Sequence, residues 1–153
     1  MIDGAPLPAR DGPYEQGFWE ALDAGVLAHQ RCDDCNKWTF PPRWRCVCGG
    51  ALHYQPVSGR GRLWSWTQVH APVLPAFAPL TPYIAAIVAL EEQSDLRMAG
   101  FLVRREGGAV NDIAPGDVRI GMALEAVIAP LGDGVRWPQW KILHTPTERQ
   151  SHD

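Results

Sequence analysis

Residues 32–48 read CDDCNKWTFPPRWRCVC, and all four cysteines of the chain lie in this stretch. They form a C-x2-C pair (Cys32, Cys35), a ten-residue spacer and a C-x-C pair (Cys46, Cys48). Two close thiol pairs facing each other across a short loop are the pattern of a tetrahedral thiolate metal site, with zinc as the expected ion. Short antiparallel arms are predicted around it: residues 26–31 leading in, 38–40 returning and 52–57 bridging onward. Pro41 and Pro42 hold the spacer extended between them. Such a ribbon buries too little apolar surface to fold unaided, so the metal is expected to supply its cross-link. Four thiolates leave no open coordination position, which makes the zinc structural. Cys46-Val47-Cys48 is one residue tighter than the first pair, with Gly49 and Gly50 placed to relax the backbone after it. His29 and His53 are near enough in sequence to replace a thiolate; both also fit as surface or packing residues.

On the N-terminal side, residues 1–13 hold three prolines and two glycines and read as a loose lead-in. Phe18, Leu22 and Val26 then recur at spacing four with Trp19 beside them, the stripe of a short amphipathic helix. Asp11 or Pro13 is placed to start it and Gly25 to end it as a left-handed cap. That stripe packs either on its own domain or, through Phe18 and Trp19, on another subunit.

On the C-terminal side, Ser58-Gly59-Arg60-Gly61 is a turn cluster and marks the boundary with the main body. Five β-like runs follow, at 63–71, 83–91, 97–104, 123–129 and 135–143, separated by Gly, Pro and Asp clusters. Ile84, Ala86, Val88 and Leu90 share one face of the second run, yet its other face is also largely apolar. Barrel closure is the expected reason. Five short strands in so few residues suit a closed five-stranded OB barrel, with Gly100 and Gly121 at bends or turns. The fold class is therefore mainly β: an N-terminal helix (1–25), a small zinc ribbon (26–57), a five-stranded OB-fold barrel (58–145) and a tail (146–153).

Residues 71–82 carry four prolines and almost no polar side chain, unusual for a loop. They fit a cover on the end of their own barrel, or a surface for a partner or an acyl chain. Trp64, Trp66, Trp137 and Trp140 pose the same choice between core and binding face.

Charge is uneven. The net charge is −3, but residues 31–62 hold six bases against two acids, +4, and the remainder eight against fifteen, −7. Arg43, Arg45, Arg60 and Arg62 belong to this basic island, which fits either phosphate attraction or a solvated ribbon surface. The sequence holds no G-x-S-x-G elbow, phosphate-binding Gly-rich loop or H-E-x-x-H motif, and its cysteines are all committed to the ribbon. An independent active site is not expected; in the competing reading of a lone metal enzyme, loss of one cysteine from the shell would have to open the metal. No basic stretch followed by an apolar core opens the chain and no run suits a membrane span, so a cytoplasmic location is expected.

The order of these motifs resembles a known family. Cys32, Cys35, Pro41-Pro42-Arg43, Cys46, Gly59-Arg60-Gly61, Trp66-Thr67, Pro82-Tyr83, Ile120-Gly121-Met122 and Pro138-Gln139-Trp140 are similar to the marks of domain-of-unknown-function family thirty-five, over roughly 18–143. The family's second cysteine pair is usually C-x2-C, so Cys46-Val47-Cys48 is a departure. The resemblance implies an N-terminal helix, a rubredoxin-like zinc ribbon and an OB-fold. It further implies an accessory role in acyl-CoA metabolism, beside a thiolase-like or lipid-transfer-type protein, an aldolase or a hydratase. Acyl-CoA would be shared with that partner, its phosphates near Arg43, Arg45, Arg60 and Arg62. The competing reading is a single-stranded nucleic-acid binder using tryptophans and arginines on an OB face; the −7 body counts against it.

Overall fold

The computed structural model describes residues 2–143; the tail expected at 146–153 lies outside them. Helix α1 (Gln16–Asp23) comes first, then a ribbon sheet of β1 (Ala28–Cys32), β2 (Trp38–Thr39) and β3 (Leu52–Pro56) in the order β2-β1-β3. Next come β4 (Arg60–Val69), β5 (Tyr83–Leu90), β6 (Arg97–Val103), β7 (Ala123–Gly132) and β8 (Val135–Ile142). These five close into a barrel, β4-β5-β6-β8-β7, with the last-to-first contact between β7 and β4. All its pairs are antiparallel except β6 with β8. Short 3-10 turns lie at Pro75–Leu80 and Pro115–Asp117. The expected class, mainly β with helix, ribbon and OB barrel, is the observed one.

Glycines explain how the barrel starts. Gly59 has φ +72°, a left-handed turn that lets its carbonyl accept from the Ala126 amide at 2.7 Å. Gly61 sits where β4 passes tightly over β5: a Cβ there would stand 2.5 Å from the Ala89 carbonyl oxygen. Gly121, at φ +84°, makes a turn as expected. Gly100 is not a bend; it lies within β6, and a Cβ there would meet the Trp140 indole at 3.0 Å. Its missing side chain makes room for Trp140, which is wholly buried in the barrel.

Helix α1 joins the two modules. It packs on β8 of the barrel and on β1 and β3 of the ribbon. Phe18, Trp19 and Leu22 are all buried within this chain, which answers the docking alternative for Phe18 and Trp19. Glu15 caps the helix without a side-chain bond, so neither Asp11 nor Pro13 is the start. Gly25, at φ +79°, takes the left-handed conformation after its end. Val26, assigned to the stripe, lies beyond that end and is 39% exposed.

Two glutamines reinforce the junction. Gln93, after β5, accepts from the Trp38 amide at 2.9 Å and donates to the Trp38 carbonyl at 3.1 Å. It acts as a one-residue strand edge clamping β2 to the barrel. Gln30, buried on β1, does the same to Arg43, accepting from its amide at 2.7 Å and donating to its carbonyl at 3.0 Å. That bond pair fixes the spacer between the thiol pairs.

The proline loop does not plug the barrel. None of Pro75–Leu80 is buried, and Leu74 is 58% exposed. Phe77 leans towards Phe101 on the outer face of β6, ring centroids 6.3 Å apart. Barrel closure does not bury that outer face, so it does not explain the apolar second face of β5. No described helix is long and apolar enough to cross a membrane.

Candidate metal centre and basic surface

Two hairpin turns carry the cysteines toward one point. The first follows β1: the Cys32 carbonyl accepts from the Asn36 amide at 3.0 Å, and Asn36 takes a left-handed φ of 60°. The second closes at Gly49, φ +90°, whose amide bonds the Cys46 carbonyl at 2.9 Å. The four Sγ atoms lie within 4.8 Å of one another, with Cys32–Cys48 and Cys35–Cys46 each at 3.5 Å. Tetrahedral zinc with bonds of about 2.3 Å requires sulfurs about 3.8 Å apart. The set fits that ion, and the pairs cross between the two turns. The short C-x-C therefore reaches the same site as the C-x2-C.

Electrostatics favour a cation there. Backbone amides of Lys37, Cys48 and Gly50 bond the sulfurs of Cys35, Cys46 and Cys48, each two residues back. Cys46 is lowered to about 7, first by the Cys48 amide and then by its neighbours' thiols. Cys48, although the Gly50 amide favours its thiolate, is pushed up to about 12 by the three adjacent sulfurs. Clustered thiolates repel one another until a bound cation compensates their charge. Cys32 and Cys46 are buried while Cys35 and Cys48 lie toward solvent. Gly50 is part of the site: a Cβ on it would stand 2.7 Å from the Cys32 sulfur.

Neither histidine belongs to the cluster. His29 is 1% exposed, stacked at 6.2 Å on Phe18 and edge-on at 4.8 Å to Phe40. Its two ring nitrogens have no hydrogen-bond partner, and burial pushes it down to about 4, Glu92 pulling the other way. His53 is exposed and faces Asp33 at 3.0 Å.

The four arginines fall on two modules. Arg43 lines a cleft of about 200 Å3 between ribbon and barrel, with Lys37, Gln93 and Asp95. Arg45 donates to the Gly49 carbonyl at 2.9 Å and lies 5.8 Å from the exposed Trp44 ring. Arg60 and Arg62 stand on one face of β4; Arg62 donates to the Gly121 carbonyl at 3.0 Å. Among the described residues none of the four has a carboxylate within ion-pair distance. The tryptophans divide too. Trp140 is core, Trp66 and Trp137 pack partly against it, and Trp64 is half exposed under the Arg97 guanidinium, 3.9 Å from its ring centroid.

Comparison with known proteins matches this architecture. Residues 19–53 match the family model of the ChsH2 rubredoxin-like zinc ribbon domain, and residues 54–129 that of the ChsH2 C-terminal OB-fold domain. A DUF35 domain-containing scaffold protein of Methanocaldococcus jannaschii is 35% identical over 122 residues, 77% of this chain and 78% of that protein. A probable enoyl-CoA hydratase alpha subunit of Thermomonospora curvata is 33% identical over 120 residues, 76% of this chain; the match spans only 33% of that subunit's length. Among solved structures, a chain of the Ltp2-ChsH2(DUF35) aldolase superposes with TM-score 0.73 at 26% identity, covering 88% of this chain and 98% of that one. The chain belongs to the DUF35 family, with a ChsH2-type zinc ribbon and OB-fold.

Proposed function

We propose that this chain is an accessory subunit of an acyl-CoA-processing enzyme complex, with a thiolase-like or lipid-transfer-type protein as partner. The observation that carries this reading is its likeness to the chain of the Ltp2-ChsH2(DUF35) aldolase, which is covered almost end to end. The relative named as an enoyl-CoA hydratase subunit supports acyl-CoA as the substrate class. The partner supplies the catalytic residues, and this chain helps bind or channel the thioester. In a cytoplasmic, reducing setting its thiolates hold zinc through Cys32, Cys35, Cys46 and Cys48, a closed shell whose task is to keep the ribbon folded. Arg43, Arg45, Arg60 and Arg62, free of carboxylate partners among the described residues, meet the CoA phosphates.

Affinity purification of the tagged chain from its native host tests the partner. An acyl-CoA-processing enzyme in stoichiometric amount is the expected result; recovery of the free chain alone refutes the reading. Binding of unacylated CoA to the complex tests the arginines. Charge reversal at Arg43 with Arg45, and at Arg60 with Arg62, is expected to weaken it at least tenfold; unchanged binding in both refutes that assignment.

A further inference from the structure

The outer face of β5 and β6 is a built concavity. Residues alternate along both strands, and inward Ile84, Ala86, Val88, Met98 and Leu102 fill the barrel. The outward set is Tyr83, Ala85, Ile87, Ala99 and Phe101, with Ala85 opposite Phe101 and Ile87 opposite Ala99. Small side chains at 85 and 99 leave a depression of about 480 Å3, inside the roughly 300–1,000 Å3 of small-molecule sites.

Three separate segments wall it. Phe77, from the proline loop, stands on one side; Leu131 and Trp137, from either side of the β7–β8 turn, on another. The third wall is the lead-in expected to be loose. Its Ile2 amide bonds the Leu131 carbonyl at 2.8 Å, and Pro6, Leu7 and Pro8 line the depression. Proline-rich walls are stiff before any ligand arrives, which lowers the entropy cost of binding. In OB barrels the second and third strands, flanked by the loops after the first and fourth, form the usual ligand face. This cavity occupies that face, but no charged residue lines it. Tyr83 is its one titratable lining residue, and burial raises its hydroxyl above the ordinary tyrosine value, keeping it neutral.

We infer that this cavity binds an uncharged hydrocarbon group, the apolar end of an amphipathic ligand whose polar end stays in solvent. The inference rests on the acyl-CoA reading in one respect: it names the hydrocarbon part of that thioester as the group this chain holds. A protein side-chain cluster is the less suitable occupant, because three segments of this chain already wall the depression and its volume is that of a small-molecule site. A nucleic-acid strand is poorly matched, since the lining offers stacking rings but no cation for phosphate.

The test uses the whole 153-residue chain, purified with zinc and without a partner, and cis-parinaric acid, a fluorescent fatty acid carrying no CoA. Saturable binding of one probe per chain is expected, displaced by palmitate and weakened at least tenfold in Ala99→Trp, which fills the floor. Ala85→Met gives an independent check should Ala99→Trp fail to fold, and Ile120→Ser, at an exposed apolar residue outside the cavity, is expected to leave binding unchanged. Absent or non-saturable binding, or binding insensitive to a folded floor variant, overturns the inference. Probe binding without an acyl-CoA enzyme in the native-host purification leaves this site standing and removes the proposed function; the converse pair of results does the reverse.

Discussion

His29 is predicted to make stability fall on acidification, by an amount that follows from its surroundings. Its ring is sealed between Phe18 and Phe40 with neither nitrogen bonded, and its folded pKa is about 4 against an ordinary 6.5. The unfolded chain takes up the proton as pH falls through 6.5, while the folded chain resists until about 4. The stability this contributes is present above pH 6.5 and lost as pH falls through the folded value. Full loss amounts to about 3 kcal/mol, of which about 2 kcal/mol is expected between pH 7 and pH 5. His29→Leu removes the titrating group and two unbonded polar atoms while filling similar space. Urea unfolding of both proteins, metal-saturated, at pH 7, 6 and 5 isolates the effect, because thiolate protonation and metal loss are common to both. The stability of the variant relative to the wild type is expected to rise by about 2 kcal/mol across that range. Parallel profiles would refute the burial of a neutral, unpartnered imidazole.

Gly50→Ala places a methyl 2.7 Å from the Cys32 sulfur and 2.6 Å from an Asp34 carboxylate oxygen, and is expected to weaken zinc binding at least tenfold in competition with a chromophoric chelator. Gln93→Ala strands the Trp38 amide and carbonyl, costing about 2 kcal/mol, with faster hydrogen exchange at the Trp38 amide while the central barrel amides keep their protection. Gly100→Ala forces the Trp140 ring to move from a contact of 3.0 Å, and overpacking of this kind costs about 1–3 kcal/mol, read as a lowered thermal midpoint with unchanged zinc content.

The cysteine cluster is legible because its signal is local. Cysteine type and spacing define a ligand set without any knowledge of the rest of the chain, and all four Sγ atoms converge. The five barrel strands were legible in position, but the reason for their composition was not. Alternation marks a strand with one buried face, and β5 has two apolar faces for different reasons: one fills the barrel, the other floors a cavity. Gln30 and Gln93 were invisible, since a glutamine that mimics a strand edge looks in sequence like any solvated polar residue. Residues 2–8 form no helix or strand, in keeping with their prolines and glycine, but their contacts with the Leu131 carbonyl and the apolar face are not legible, because those residues report local backbone habit and not distant partners. Gly100 reads in sequence as a bend for the same reason: its role is the absence of a side chain opposite Trp140, forty residues later in the sequence.

The cysteine cluster alone does not set how the ribbon sits on the barrel. A metal held by the four sulfurs would cross-link the two turns that bear the cysteines, but both turns lie within the ribbon. What fixes the ribbon to the barrel is α1, inserted between β8 and the β1–β3 pair, together with Gln93 holding β2 from the end of β5. The two controls are coupled through β1, whose residues serve both. His29 packs under α1, Gln30 ties the spacer, and Cys32 supplies a sulfur. Loss of a bound metal is therefore expected to loosen the turn that carries Cys46 and Cys48 and, through β1, the surface on which α1 rests, while Gln30 still ties the spacer at Arg43. The barrel cavity is floored by β5 and β6 and touches α1 only through its Trp137 wall. A chelator is accordingly expected to weaken contacts made by the ribbon and its arginines while the stripped chain still binds cis-parinaric acid. Loss of both together would mean that the metal's influence reaches through α1 to Trp137, the cavity wall on which Phe18 and Trp19 pack.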